Sequence, residues 1–194
     1  MDRKSEIIGL TCELLMTKGY DSLSYQDLSD ALGITKASIH HHFPRKADLG
    51  IAACRYLHDR LIERFDLIRI QKTNAWEQLS AVVAFYDKLV GEERCNCPIS
   101  SLQAGLNLVP EEIRAQVRKT AQVEVDFFVE ILEKGRASGE FDFSGSSDSM
   151  ALLFVSAFKG GIQISLSHGV EFYRSMKKQL MNNLVSSPKE RVGA

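Results

Sequence analysis

The chain has 194 residues, 44% of them apolar, and its 24 Lys and Arg against 25 Asp and Glu give a formal net charge of -1. That length and apolar fraction suit one large domain or two small ones with a real core, and they argue against a disordered chain. The balance also excludes a uniformly basic protein, so any demand for positive charge has to be met locally.

Residues 3 to 18 place Ile7, Ile8, Leu10, Leu14 and Leu15 at helical spacing, and Gly19 follows as a C-terminal stop. Ser24 and Asp27 have the spacing of a capping box ahead of Leu28, Ala31 and Leu32, which predicts a short second helix over about 25 to 32. Gly33 suits a left-handed turn, Ile34 suits the angle between two helices, and Thr35 suits the cap of a third helix over about 36 to 42. Two short helices joined by a glycine-containing turn form a helix-turn-helix.

Pro44 interrupts the chain, and a helical pattern resumes from Lys46 toward Ile70 through Leu49, Ala53, Leu57, Leu61 and Phe65. Further helices are expected from Asn74 to about 91, from Pro98 to about Asn107 and from Pro110 to about Ala137. Serine and glycine make 138 to 149 a loop. Two last helices, about 148 to 167 and 170 to 186, precede a tail expected to fray. No stretch alternates as a strand would, so the fold class expected is all-α.

No run of eighteen uncharged apolar residues occurs, and the start MDRKSEIIGL lacks the order of a secretory leader. A cytoplasmic location with no membrane partner is therefore expected. Cys12, Cys54, Cys95 and Cys97 are too few and too irregular for a disulfide scaffold and are expected to be reduced.

Residues 33 to 46, GITKASIHHHFPRK, carry Lys36, Arg45 and Lys46 and no acid. The second helix of a helix-turn-helix enters the DNA major groove, with base edges reached from its N-terminus and phosphates held by flanking groups. The candidate DNA-binding residues are Ser24, Tyr25, Thr35, Lys36, Ala37, Ser38, His40, His41 and Lys46, with Arg45 as a helper. Lys36 reaches guanine acceptors or a phosphate, Thr35 and Ser38 bond either, and the Ala37 methyl meets a thymine methyl. Lys46 is placed to hold a phosphate.

Successive helical residues point about 100° apart, so His40, His41 and His42 do not converge on a metal ion. No metal and no cofactor are expected. His42 is expected to pack beside Phe43, and His40 and His41 to face phosphate. A free imidazole charges as pH falls through about 6.5, so DNA affinity should rise modestly between about pH 7.5 and 6.

The run LSYQDLSDALGITKASIHHHFPRKADL resembles the DNA-binding signature of the TetR family of bacterial transcriptional repressors. That signature passes through a short helix, Gly-Val-Ser/Thr, a recognition helix ending in Tyr-His-Tyr-Phe, and Lys-Glu-x-Leu. Gly33, Ile34, Thr35, Lys36, Ser38, His41, Phe43, Lys46 and Leu49 match, and the resemblance covers about residues 5 to 55. His40 and His42 depart from it, standing where the family most often has tyrosine.

The resemblance implies a three-helix DNA-binding domain over 1-48 and a helical regulatory and dimerisation domain over 49-194. It also implies a homodimer, joined through its last two helices, that binds a palindromic operator. ALLFVSAFKGGIQISL, residues 151 to 166, is apolar on more than one face and carries Gly160 and Gly161, which suits close approach by another helix.

For the signal, CNCPISSLQAGLNL (95 to 108) is similar to a segment of TetR-family repressors that respond to electrophiles and oxidants, with Cys97 matching the sensing cysteine. A thiol at a helix start beside Arg94 gains thiolate character. Cys95 is a further candidate sensing residue beside it, and Cys12 and Cys54 read as core. The same segment also suits a pocket wall, which is the favoured signal site, and Trp76, Phe85, Tyr86, Phe127, Phe128 and Phe158 suit an apolar inducer cavity or a plain core. A small apolar or electrophilic inducer is the expected partner.

No catalytic constellation stands out. The reading is a ligand- or thiol-released repressor, with an activator of the same fold and a helical protein-interaction module as the alternatives.

Overall fold

The structure is a computed structural model that describes residues 2–93 and 97–185. Its helices are α1 (Arg3–Ser22), α2 (Tyr25–Leu32), α3 (Lys36–His42), α4 (Lys46–Gln71), α5 (Ala75–Lys88), α6 (Pro98–Ala104), α7 (Glu111–Ser138), α8 (Ser147–His168) and α9 (Val170–Asn182). A π-helical turn, Leu89–Glu93, follows α5. No strand occurs among the described residues, and the fold is all-α.

The chain divides into two compact units, Met1–Glu63 with Asn96–Gln122 and Arg64–Cys95 with Val123–Ala194. These packing units divide the chain differently from the sequence division at 48 and 49. Both α4 and α7 supply residues to each unit, and α6 belongs with the helix-turn-helix and packs on α1.

In the first unit, Gly19 takes φ +74° and interrupts α1, as its sequence suggests, and one further turn runs on to Ser22. The capping box forms: the Ser24 hydroxyl accepts the Asp27 N–H, and the Asp27 carboxylate accepts the Ser24 N–H. Gly33 closes α2 at φ +63° and ψ +34°, the left-handed conformation that glycine adopts without steric cost. Ile7, Leu15, Leu28, Ile39, Phe43 and Leu49, none more than 3% exposed, lock four helices together. Each such side chain contributes about 1.5–3 kcal/mol on burial. At Gly50 a methyl group would sit 2.6 Å from Ile113 Cδ1 and 2.7 Å from Tyr20 Cε2, so glycine sets how closely α1, α4 and α7 approach here.

In the second unit, Leu79, Val82 and Tyr86 of α5 are buried with Phe127, Phe128, Ile131 and Leu132 of α7, and so are Phe154, Phe158 and Ile162 of α8 and Tyr173 and Leu180 of α9. α8 and α9 pack on each other, and at Gly161 a methyl would meet Met176 Cε at 2.4 Å. Gly160 faces open space. By length and composition α8 is the one described helix long and apolar enough to cross a membrane. Leu152, Leu153, Ile164 and Leu166 on α8, with Phe172 on α9, stay exposed.

Several helix ends differ from their expected positions. α6 stops at Ala104 and not at Asn107, because turns through Leu108 follow it, and α9 ends at Asn182 and not at 186. α5 ends in the π-helical turn, a widening that periodicity does not encode. The expected frayed tail, from 186, lies outside the described residues.

Candidate functional site

The helix-turn-helix presents one face of α3. Thr35 is extended, at φ -75° and ψ 150°, and its Oγ1 accepts the Ser38 N–H at 3.2 Å. This cap fixes the start of the recognition helix, with Lys36, Ala37, His40 and His41 exposed and Ser38 half-buried. Lys36 makes no ion pair among the described residues. Ile39 lies on the opposite face, buried in the core.

Tyr25, at the head of α2, secures the other end. Its hydroxyl donates to the Phe43 carbonyl at 2.6 Å, and its ring meets the His40 ring edge-on with centroids 4.4 Å apart. The position and orientation of His40 are therefore set by α2 as well as α3. His42 is half-buried with its ring edge-on to His41, and Phe43 is buried, with the Lys4 ammonium 5.9 Å from its ring centroid.

The Ser24 hydroxyl donates to Asp27 at 2.8 Å, and Lys18 reaches the same carboxylate at 2.5 Å. The Lys18 hydrogen bond first, then those from Ser24, hold the Asp27 carboxyl down at about 2. Ser24 thus spends its hydroxyl proton inside the protein and keeps acceptor capacity.

Lys46 donates to the Asp21 carbonyl at 2.9 Å and lies 4.8 Å from the Tyr20 ring centroid, tying α4 to the end of α1. Arg45 pairs with Asp48 at 2.6 Å, and its own N–H caps onto that carboxylate at 3.0 Å. Sequence reading missed the Asp48 partnership, although the three-residue spacing from Arg45 is visible in the chain.

The candidate regulatory residues do not gather at one point. Tyr86 and Phe158 stack with centroids 4.8 Å apart and 4° between planes. Phe127 stacks on Phe65 at 4.0 Å, with Arg69 4.6 Å from its centroid. Trp76 meets Phe141 edge-on at 4.9 Å, and Phe85 lies 3.8 Å below the Arg64 guanidinium. These aromatics belong to the second unit.

Cys97 belongs to the first unit, where it is 7% exposed and precedes the seven-residue α6 without forming a side-chain cap. Cys95 and Arg94 lie outside the described residues. Cys12 and Cys54 are buried, and desolvation pushes both thiols up to about 12. Sequence reading also missed Glu124 and Lys159, an ion pair of 2.6 Å in the second unit; the Tyr86 hydroxyl donates to the same carboxylate.

Comparison with known proteins agrees with this geometry. Residues 7–53 match the family described as Bacterial regulatory proteins, tetR family. The HTH-type transcriptional repressor KstR2 of Mycolicibacterium smegmatis is 24% identical over 140 residues, which cover 72% of this chain and 67% of that protein. A TetR-family transcriptional regulator from Agrobacterium tumefaciens superposes with a TM-score of 0.88 at 24% identity, over 94% of this chain and 97% of that one. The reduced form of NemR from E. coli superposes with a TM-score of 0.82 at 18% identity, over 96% and 100%. These structural likenesses concern the fold.

Proposed function

We infer that this chain, which belongs to the tetR family of bacterial regulatory proteins and is a transcriptional regulator and not an enzyme, acts as a cytoplasmic repressor that binds a pseudo-palindromic operator as a homodimer. The observation that carries this reading is the exposed N-terminal face of α3, with Lys36 available beside Ala37, His40 and His41 on a helix anchored by Ile39 and capped by Thr35. Lys36, Thr35 and Ser38 read base edges or phosphate and His40 and His41 face the backbone, while Ser24 and Tyr25, whose hydroxyl protons are engaged at Asp27 and Phe43, contribute by fixing α2 and α3. The Lys46 ammonium is engaged at the end of α1 in this structure, so its contribution to phosphate binding comes through the position it gives α4.

One recognition helix reads too few bases for a specific operator, and two copies reading half-sites one helical turn apart answer that need. The exposed side chains Leu152, Leu153, Ile164, Leu166 and Phe172 favour α8 and α9 as the face that meets the second copy.

Release comes from a small molecule bound among the aromatics of the second unit, or from modification of Cys97. A coupling of about 1–3 kcal/mol changes DNA affinity about five- to 150-fold, enough for a switch. Because α4 and α7 supply residues to both units, they are the proposed carriers of that coupling. Cys97 shares a unit with the helix-turn-helix, which favours direct action on α6 and α1 if its thiol is modified.

Selection of genomic fragments by the purified, reduced protein at physiological salt tests the reading. Recovery of a shared palindrome supports it. Retention of nothing, or of fragments without a common sequence, overturns it in favour of a protein-interaction role.

A further inference from the structure

The lysines and arginines of residues 2 to 48 are Arg3, Lys4, Lys18, Lys36, Arg45 and Lys46, and most are engaged inside the protein. Arg3 pairs with Glu6 at 2.5 Å, Lys18 with Asp27 at 2.5 Å and Arg45 with Asp48 at 2.6 Å, while the Lys46 ammonium donates to the Asp21 carbonyl. Lys4 and Lys36 make no ion pair among the described residues. Lys36 belongs to the recognition helix, whereas Lys4 stands on α1.

The place of Lys4 on α1 does not favour the helix. Lys4 is its second residue, where unpaired N–H groups make the helix end positive and a cation is disfavoured. Arg3 shares that turn with Glu6 to offset it, and the Asp2 carboxylate is engaged by the N–H and hydroxyl of Ser5. Lys4 is exposed, so helix stability gives no reason for its charge.

Tertiary packing does give one. The Lys4 ammonium lies 5.9 Å from the centroid of the Phe43 ring, at the C-terminal end of α3. Phe43 is 3% exposed and its carbonyl is held by the Tyr25 hydroxyl at 2.6 Å, so the ring is a fixed platform. An aromatic face positions an ammonium without neutralising it, unlike the carboxylates that hold Arg3, Lys18 and Arg45. The surrounding run, residues 33 to 46, contains no acid to compete for it.

The position suits a phosphate. The seven residues of α3 span about 10 Å, close to the roughly 12 Å width of the major groove. With the first turn of α3 on base edges, its C-terminal end is carried to the side of the groove, where the backbone stands.

We propose that Lys4 is a DNA-backbone contact: its ammonium, seated over Phe43 at the C-terminal end of the recognition helix, neutralises a phosphate at the edge of the half-site that Lys36 enters. This rests on the reading of α3 as a recognition helix. The contact adds affinity without sequence preference, and it fixes the angle of α3 in the groove because α1 and α3 are then held to the duplex together.

The test is fluorescence anisotropy of the full-length, reduced protein on a labelled duplex of arbitrary sequence and on a retained genomic fragment, each over a series of salt concentrations. Lys4→Gln removes the charge, and Lys4→Arg keeps it. Lys4→Gln should weaken binding to both duplexes about three- to tenfold at physiological salt, leave their ratio unchanged, and lower the salt slope by about 0.9 for each protomer bound. Lys4→Arg should restore affinity and slope. The urea midpoint of Lys4→Gln should equal or exceed that of the wild type, because the lost charge opposed the helix dipole; a merely structural contact with Phe43 would lower it.

An unchanged salt slope in Lys4→Gln overturns the proposal, whatever the urea midpoint. So does a loss confined to the retained fragment, or a failure of Lys4→Arg to restore binding. The arbitrary duplex needs no operator, so a fragment selection that recovers no palindrome leaves the slope measurement decisive. An unchanged slope beside a recovered palindrome removes Lys4 and leaves α3 as the recognition helix, whereas a wild type that binds neither duplex at low salt overturns both readings.

Discussion

The Tyr25 hydroxyl donates to the Phe43 carbonyl at 2.6 Å, joining the first residue of α2 to the residue that ends α3. Because Pro44 follows directly, this bond fixes where the recognition helix stops. Tyr25→Phe keeps the ring against His40 and removes only the donor. It should lower stability by about 1 kcal/mol in urea unfolding and weaken operator binding while the helix content by circular dichroism stays constant.

Lys36 stands exposed at the first turn of α3. Lys36→Ala should cost about 1–3 kcal/mol of specific DNA affinity and, if the contact is to phosphate, reduce the salt slope by about 1. Fluorescence anisotropy on a selected fragment, at several salt concentrations, separates the two modes. A protein-interaction module would show neither change.

Asp27 sits in a cluster with Lys18 and Ser24, whose hydrogen bonds bring its carboxyl from an ordinary 3.8 down to about 2. The folded value is the lower one, so the ionised carboxylate stabilises the fold fully above the unfolded value. That contribution is lost as pH falls through about 4 toward 2. The stability difference between the wild type and Asp27→Asn should therefore be constant above about pH 5 and shrink steadily below it. Denaturant midpoints of both proteins across that range measure it.

Gly160 and Gly161 are adjacent but serve different neighbours. At Gly161 a methyl group meets Met176 and Tyr173 of the same chain, whereas at Gly160 it meets nothing within 4 Å. Gly161→Ala should destabilise the fold by about 1–3 kcal/mol through overpacking, less if the end of Met176 gives way. Gly160→Leu should leave the protomer helical and shift sedimentation velocity toward monomer, since its bulk projects only into the proposed dimer face.

The cysteines should react unequally. With desolvation holding Cys12 and Cys54 at about 12 against an ordinary 9.0, their thiolate at pH 8 is about a thousandfold scarcer than for a free side chain. Brief iodoacetamide treatment of the native, reduced protein should leave both unmodified, as read by peptide mass mapping, and both should label after unfolding in guanidinium.

The elements of the DNA-binding unit and their order are legible in the chain, because local chemistry marks each one. Ser24 and Asp27 open α2, Gly33 closes it, Thr35 opens α3 and Pro44 follows its end, all through contacts only a few residues apart in the chain. The all-α class followed in the same way from spacing.

How the side chains are used follows only from folding. Lys46 turned to the end of α1 because Asp21 and Tyr20 are brought to it from 25 residues or more away. The candidate inducer aromatics separated into Tyr86 with Phe158, Phe127 with Phe65, and Trp76 with Phe141, since a period of 3.6 marks a buried face without saying which rings meet across it. Glu124 and Lys159 carried no local signal at all: 35 residues apart on α7 and α8, each reads as an ordinary charged helical residue until folding buries the two together.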